Sequence, residues 1–320
     1  MLTSISQRQV QFPLQSKVLN LTQKKEAANM GKLKKISGLL EKSMNVIFTV
    51  CGFVAVAFVL VITIFLVVSG TPAIGEIGLT EFLFGTKWAS TAAEPSYGIL
   101  PFILSSVYGT FGAILIGVPL GILCAVFLTK IAGKRTTSFV SGAVNLMSGI
   151  PSVVYGLVGM IIIVPAVREM FGLPDGANLF SAILVLAVMI LPSVISVSET
   201  AIRAVPKEYE EASLALGATK TETIFKVTLP AAKSGILASV VLGIGRAIGE
   251  AMAVMMVAGN VANMPGLFKS VRFLTTAVAS EMSYSSGLQR QALFSVALVL
   301  FVFILGINLV LNLIVKKNRK

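Results

Sequence analysis

The chain has 320 residues, of which 55% are hydrophobic and only 12% are charged, and its mean hydropathy is +0.90. One soluble core of this length cannot hide so much apolar surface, so the composition indicates a protein of the lipid bilayer. The net charge of +12 is attributed mainly to basic residues that orient membrane helices, which argues against a nucleic-acid-binding protein. Cys51 and Cys124 lie far apart in apolar segments and there is no histidine, so neither a disulfide nor a metal site is expected.

Six predominantly apolar segments are long enough to cross about 30 Å of hydrocarbon as helices. In chain order they are 43–69, 99–129, 139–167, 179–198, 234–260 and 291–315. None alternates polar and apolar residues as the strands of a membrane barrel do. The sequence therefore predicts an all-α, polytopic membrane protein of six transmembrane helices. It divides into a basic N-terminal segment 1–42, a first helix 43–69, an outside loop 70–98, a five-helix core 99–315 and a basic tail 316–320.

Basic residues orient these helices. They cluster in the segment 1–42, in the tail 316–320 and between the second and third spans, at Lys130, Lys134 and Arg135. Because basic loops stay in the cytoplasm, both termini are expected there, together with the polar loop 200–233. The first 42 residues are too long and too polar for a signal peptide and are expected to be retained. Residues 32–42 form either a helix lying on anionic lipid or a flexible basic leader.

The loop 200–233 contains the most informative feature, a polar, charge-rich insert between two apolar runs. Small residues near its start permit close approach of another helix. Gly217 permits a tight reversal, and Pro230 ends one helix as the next begins. The insert resembles the cytoplasmic EAA loop of bacterial ABC-transporter permeases, a short helix that docks on an ATPase subunit. Ser213 replaces the second Ala of that pattern, and Val227 the usual Ile. The resemblance implies a coupling role for Glu210, Glu211, Ala212, Gly217, Leu229 and Pro230.

The fifth predicted span carries two charges well inside the membrane, Arg246 and Glu250. Arg246 is expected roughly 15 Å from the cytoplasmic end of the helix, near the midplane. An Arg there costs about 2.5 to 3.5 kcal/mol on insertion scales, so it should face a polar path or a partner. Glu250 lies one turn further along the same helical face. Either the two charges neutralise each other and lock helix packing, or Arg246 contacts a passing anion while Glu250 holds or releases it.

Glycines surround this charge pair. Gly243, Gly245 and Gly249 are expected to leave one face of the helix without side chains, for close packing against another helix. Gly117 and Gly121 repeat this spacing in the second span. Proline residues at 151 and 192 are expected to interrupt the third and fourth helices.

Enzymatic motifs are missing from the sequence. It contains no GxxxxGK[ST] loop, so any energy from ATP has to come through a partner. Without histidine there is no Ser–His–Asp triad, and no nucleophile and base accompany Glu250. The chain is therefore expected to be a transport subunit without its own ATPase site, a cofactor or a catalytic residue.

A second resemblance narrows the substrate. Residues 99–315 are similar to the PstC-type subunit of phosphate-transport permeases in three runs: GILPFILSSVYGTFGAILIGVPLGI, GIPSVVYGLVG and RAIGEAMAVMMVAGN, with Ala251 where related chains often have Thr. This implies a type I ABC importer permease in the bacterial plasma membrane that moves inorganic phosphate past Arg246 and Glu250. Its implied partners are a PstA-type permease, a PstB-type ATPase dimer and a PstS-type phosphate-binding protein.

Two alternatives remain open at this point. A permease of the same superfamily for sulfate, molybdate or phosphonate would use the same loop and the same Arg. An ATP-independent secondary transporter would need inverted repeats and usually broken helices near the midplane, and the sequence shows neither.

Overall fold

A computed structural model describes the backbone of residues 12–317 and the side chains of 41–311 and 313. The predictions for residues 1–11 and 318–320 lie outside the described residues, as do those for the side chains of 12–40. By its internal contacts the chain divides into two units, residues 1–65 and 66–320. In the first unit, residues 41–65 have no buried side chain and expose apolar groups on all faces, as expected of a helix in lipid.

The elements are helices apart from one short hairpin. In chain order they are α1 (Phe12–Ile77), α2 (Leu79–Phe84), β1 (Trp88–Ala89), β2 (Ser96–Tyr97), α3 (Leu100–Val126), α4 (Lys134–Gly149), α5 (Ser152–Val158), α6 (Val164–Phe171), α7 (Leu179–Arg203), α8 (Lys207–Ala215), α9 (Lys220–Thr223), α10 (Leu229–Ala231), α11 (Lys233–Gly249), α12 (Met252–Val257), α13 (Leu274–Glu281) and α14 (Gly287–Lys317). π-helical turns at Phe127–Ile131, Gly159–Ile163 and Ile224–Thr228 extend α3, join α5 to α6 and join α9 to α10.

Within the described part of the chain, five stretches of helix are long and apolar enough to span a membrane: Glu41–Ile77, Leu100–Ile131, Ser152–Phe171, Leu179–Arg203 and Gly287–Leu311. A sixth candidate is α11 together with the helix before it, Lys220–Ala231, from which it is bent by 71°. The predicted polytopic, all-α fold is thus confirmed. The first span continues past the predicted end of 43–69, because α1 runs on to Ile77.

The predicted third span, 139–167, is wrong as a single helix. α4 ends at Gly149, Ile150 is extended with φ −73° and ψ 128°, and α5 begins only after Pro151. A residue that precedes proline is pushed out of the helical region, which explains the break at this point. The span proper is Ser152–Phe171.

The fifth span, 234–260, is also broken. α11 ends at Gly249, Glu250 is extended with φ −73° and ψ 129°, and α12 starts at Met252. Broken helices were expected only of a secondary transporter, so this feature does not separate the two classes of transporter. After α12 the chain returns through a loop to α13 rather than continuing outward as one helix.

The core of the bundle is α7, the most buried of the candidate spans. Glycines let α3 and α11 approach it closely: a Cβ at Gly117 would lie 2.8 Å from Ile190, and one at Gly121 would lie 2.7 Å from Val194. Gly243 also faces α7, whereas Gly245 and Gly249 meet no atom within 4 Å. The prediction that all three glycines of α11 share one packed face is therefore wrong, because Gly243 lies on the other side.

Candidate transport path and coupling segment

The polar insert folds as two short helices with a turn between them. α8 ends at Ala215, Gly217 adopts φ +89°, and the amide of Ala218 donates to the carbonyl of Ser213 at 3.2 Å. A residue with a side chain would be strained at this φ, so the reversal needs glycine. The turn predicted at Gly217 is confirmed. Residues 207–232 are called the EAA segment below.

The second helix of the EAA segment starts with a capping box. The amide of Glu222 donates to the hydroxyl of Thr219 at 3.3 Å, and the amide of Thr219 donates to the Glu222 carboxylate at 3.1 Å. Thr219 and Lys226 together lower the pKa of the exposed Glu222 carboxyl to about 2, from its usual 4.5. A lowered pKa means that the cap is complete at neutral pH and weakens only as the pH falls from about 4.5 toward 2.

The predicted coupling residues have different environments. Glu211 and Ala212 are exposed on α8, as is Leu216 just after it, with 90% of its surface accessible. The Glu210 carboxylate instead forms a salt bridge with Lys130 and accepts a hydrogen bond from Thr228. Only part of the predicted set is therefore available to another protein.

Of the two closing residues of the set, Leu229 holds the EAA segment to the bundle, whereas Pro230 does not. Leu229 packs against a buried cluster at the ends of α3 and α7, which contains Ala125, Val126 and Ile202. Pro230 is exposed at the bend before α11. The EAA segment is thus attached directly to the helix that carries Arg246.

Arg246 contacts α7 near the middle of the bundle. Its Nη1 donates to the hydroxyl of Ser193 at 3.1 Å. Ser193 lies ten residues before the end of α7 at Arg203, which is roughly 15 Å along the helix, and roughly 21 Å from its start at Leu179. The predicted midplane position of Arg246 agrees with this depth.

Glu250 is engaged elsewhere. Its carboxylate accepts from the amide of Ala253 at 3.0 Å, at the start of α12, and its carbonyl accepts from the hydroxyl of Thr275 at 2.7 Å. In the part of the chain that the structure describes, Arg246 has no salt bridge to any acidic side chain. The interpretation of Arg246 and Glu250 as an ion pair is wrong for this conformation, because the helix ends between them.

An uncovered surface lies beside Arg246. Leu242 is 51% exposed, and at Gly245 and Gly249 an added Cβ would meet open space. These three residues share one face of α11, called the open face below, which is contiguous with the partly exposed Arg246. The arrangement places a guanidinium with donors to spare at the edge of a bare helix surface. Among the described residues, no cluster of acidic residues and cysteines is arranged to hold a metal ion.

Several partners in these contacts were not predicted, among them Ser193, Thr275 and Lys130. Each meets its contact from a distant part of the sequence, and Ser193 is 53 residues from Arg246. The one available signal for Ser193 was a hydroxyl inside an apolar span. Lys130 was assigned only to the basic cluster that orients the helices.

A membrane bundle with an EAA segment between its spans belongs to the permease subunits of ABC importers, and the comparisons agree. Residues 117–320 match the family described as "Binding-protein-dependent transport system inner membrane component". The chain belongs to this family of multi-pass inner-membrane proteins.

Individual relatives show which permeases of this family the chain is similar to. The chain is 39% identical over 273 residues to the "Probable ABC transporter permease protein YqgH" of Bacillus subtilis (strain 168). The alignment covers 82% of this chain and 88% of that protein. It is 34% identical over 265 residues to the phosphate transport system permease protein PstC of Pasteurella multocida, which covers 75% of this chain and 82% of that one. For PstC of Haemophilus influenzae the identity is 32% over 301 residues, and the alignment covers 88% of this chain and 94% of that protein. The predicted similarity to PstC-type phosphate permeases is confirmed.

Solved structures support the fold. The inward-facing MetNI methionine ABC transporter superimposes with a TM-score of 0.52 at 23% identity, covering 69% of this chain and 94% of that chain. A bacterial transporter that imports the acidic polysaccharide alginate superimposes with a TM-score of 0.55 at 16% identity, and the match covers 78% of this chain and 94% of that chain. Such identities carry the fold alone, and they confirm the predicted type I ABC importer permease fold.

Proposed function

We propose that this chain is the PstC-type permease subunit of an ATP-driven importer, and that it carries inorganic phosphate into the cytoplasm past Arg246 and Glu250. The names of the Pasteurella and Haemophilus relatives favour phosphate. Hydrolysis of ATP takes place on a partner, because this sequence has no phosphate-cradling loop of its own.

The environment of Arg246 is the observation that carries the proposal. A guanidinium at membrane depth is usually paired with a carboxylate, since an unpaired charge is costly in a bilayer. Arg246 instead has a neutral hydroxyl partner, Ser193, and lies next to the open face of α11. Its charge is therefore available for a tetrahedral oxyanion, which a guanidinium binds with two parallel hydrogen bonds.

Glu250 has a different role in this proposal. By capping α12 it fixes the break that ends α11 one turn after Arg246. The break leaves the guanidinium close to a helix end rather than in the middle of a continuous, apolar helix. The carboxylate also repels an anion that moves past Arg246, which favours release.

The EAA segment connects this path to the ATPase. The exposed residues Glu211, Ala212 and Leu216 form the surface that docks on a PstB-type ATPase dimer. Both termini and the EAA segment face the cytoplasm, following the basic residues. A PstA-type permease covers the open face of α11, and a PstS-type protein delivers phosphate from outside.

Uptake of radiolabelled phosphate tests the proposal in cells that lack other phosphate carriers and express the four subunits. Uptake is expected to depend on the ATPase subunit and to resist excess sulfate, molybdate or phosphonate. If one of these anions displaces phosphate, the chain is a permease for that anion. If uptake continues without the ATPase subunit and follows the membrane potential, the chain is a secondary transporter.

A further inference from the structure

Glu210 and Glu211 are neighbours on α8, yet their side chains face different surroundings. Glu211 is exposed, whereas the Glu210 carboxylate has 25% of its surface accessible and the Lys130 side chain paired with it has 18%. The hydroxyl of Thr228, a fully buried residue, donates to the same carboxylate oxygen at 3.2 Å. Glu210 therefore points toward its own chain and away from the surface that another protein contacts.

The two partners of Glu210 belong to different parts of the fold: one lies at the end of a membrane helix, and the other lies in the second half of the EAA segment. Lys130 lies in the π-helical turn Phe127–Ile131 at the end of α3, and Thr228 lies in the turn Ile224–Thr228 that leads into α11. π-helical turns interrupt regular helices and are often found at functional sites. One carboxylate thus connects α8 to the end of α3 and to the helical stretch Lys220–Ala231, which precedes α11 and is bent from it by 71°.

Apolar packing does not explain this connection. A cavity of about 190 Å³ lies beside the salt bridge and is lined by Lys130, Glu210, Leu214, Lys220, Thr223 and Ile224. Because the cavity leaves this side of α8 without close packing, polar contacts carry the attachment. The hydrogen bond between the hydroxyls of Ser213 and Thr223, at 2.9 Å, is a second polar contact between α8 and the next helix.

We propose that Glu210 is a positioning residue: through Lys130 and Thr228 it transmits movement of α8 to α3 and α11, and it does not contact the ATPase. This inference rests on the proposed function of the EAA segment as the coupling element. It separates two adjacent glutamates by role, with Glu211 facing the partner and Glu210 facing the bundle. It does not depend on which anion is transported.

The test uses charge reversal in the assembled transporter. We would compare Lys130→Glu, Glu210→Lys and the double reversal Lys130→Glu/Glu210→Lys, each with cysteine at Gly245 in a background that lacks Cys51 and Cys124. Gly245 lies beside Arg246 on the open face, where a side chain meets no atom of this chain within 4 Å, so its labelling in the assembled transporter reports whether the path between α11 and the second permease is open. The measurements are retention of the ATPase subunit on purification and the change in labelling of this cysteine when ATP is added.

Lys226→Glu is the matched control. Lys226 is in the same segment and forms a salt bridge with Glu222 within one helix, with 73% of its side chain exposed. Reversing this charge changes the net charge as much as Lys130→Glu does, but leaves the contact between α8 and α3 in place. The control is expected to keep the ATP-dependent labelling of the parent chain.

Each single reversal is expected to retain the ATPase subunit and to lose at least tenfold in the ATP-dependent labelling change. The double reversal should restore that change to within about twofold of the parent, since the pair is remade with opposite signs. Loss of the ATPase subunit in Glu210→Lys alone would make Glu210 a docking residue and overturn the inference. A double variant no better than the single ones, or single variants equal to Lys226→Glu, would also overturn it.

Two further results keep the inference separate from the proposed function. If the single variants insert poorly, Lys130→Cys/Glu210→Cys joined by a short bifunctional thiol reagent replaces them. The joined chain should keep its ATP-dependent labelling, and loss of labelling that reverses on cleaving the linker would show that the two residues must separate.

A parent chain with ATP-dependent labelling but no phosphate uptake would reject phosphate as substrate and leave the role of Glu210 standing.

Discussion

The Nη1 of Arg246 lies 3.1 Å from the hydroxyl oxygen of Ser193, across the interface between α11 and α7. α7 is the most buried of the candidate spans, so Ser193 offers a fixed point to a guanidinium that has no carboxylate partner among the described residues. The contact orients Arg246 without neutralising it.

Replacing Ser193 with Ala is expected to weaken transport without preventing assembly. A hydrogen bond to a charged group contributes about 1.5 to 3 kcal/mol, and each 1.4 kcal/mol is about tenfold in affinity. The KM for phosphate uptake should therefore rise by about tenfold or more, while the amount of inserted protein stays the same. Ser196→Ala, an exposed change on the same helix, serves as the control. Equal KM values for the two variants would remove Ser193 from the site.

Glycines that contact α7 and glycines on the open face should respond differently to alanine. A Cβ at Gly117 would lie 2.8 Å from Ile190 and 3.0 Å from the carbonyl of Ala187, whereas one at Gly249 would meet nothing. Overpacking of this kind costs about 1 to 3 kcal/mol. Thermal denaturation in detergent should show Gly117→Ala to be destabilised and Gly249→Ala of the isolated chain to be unchanged. A Gly249→Ala variant that is less stable than Gly117→Ala would contradict this packing of α3 against α7.

The end of the bundle opposite the EAA segment depends on Glu281. Its carboxylate forms a salt bridge with Arg272 and accepts from Trp88 Nε1 and from Gln289 Nε2, each at 3.2 Å. One side chain therefore connects the hairpin, the loop before α13, and α14. Glu281→Ala should destabilise the protein by about 1.5 to 3 kcal/mol and expose the hairpin to protease. Glu94→Gln, at an exposed position in the same hairpin, should change neither property.

Cysteine labelling tests the orientation. Single cysteines at the exposed residues Ser138 and Thr221, in a background without Cys51 and Cys124, should react only from the cytoplasmic side. A cysteine at the exposed Asn263 should react with an impermeant reagent on intact cells. Labelling of either of the first two from outside would overturn the assignment of both termini and of the EAA segment to the cytoplasm.

Hydropathy and local backbone chemistry account for what was predictable from the sequence. Long apolar runs gave the spans, and the need for positive φ gave the turn at Gly217. The breaks within the spans were harder to predict, because a proline in an apolar run does not always end a helix. Pro151 follows the end of α4, whereas Pro192 is buried inside α7, which continues through it. Tertiary packing decides between these outcomes, and a single sequence does not contain it.

Residues of the candidate site could be proposed from the sequence, whereas their contacts could not. Arg246 and Glu250 are conspicuous because they are charges in an apolar run, and helical spacing suggested that they pair. That inference failed because residues four apart face each other only within a continuous helix, and α11 ends at Gly249, before Glu250. Glu210 was likewise assigned to the EAA segment from the sequence, but the direction of its side chain depends on Lys130, which lies 80 residues earlier.

Phosphate uptake by Arg246→Gln/Glu250→Gln tests the central claim most directly. The Gln amide oxygen at position 250 can still accept from Ala253, so the cap of α12 and membrane assembly should be kept, whereas Glu250→Ala would lose a cap that is typically worth about 1 kcal/mol. Without the guanidinium, the account predicts a fully assembled transporter whose uptake of radiolabelled phosphate is at the background of cells lacking the chain. Near-normal uptake by the assembled double variant would contradict an anion path past Arg246.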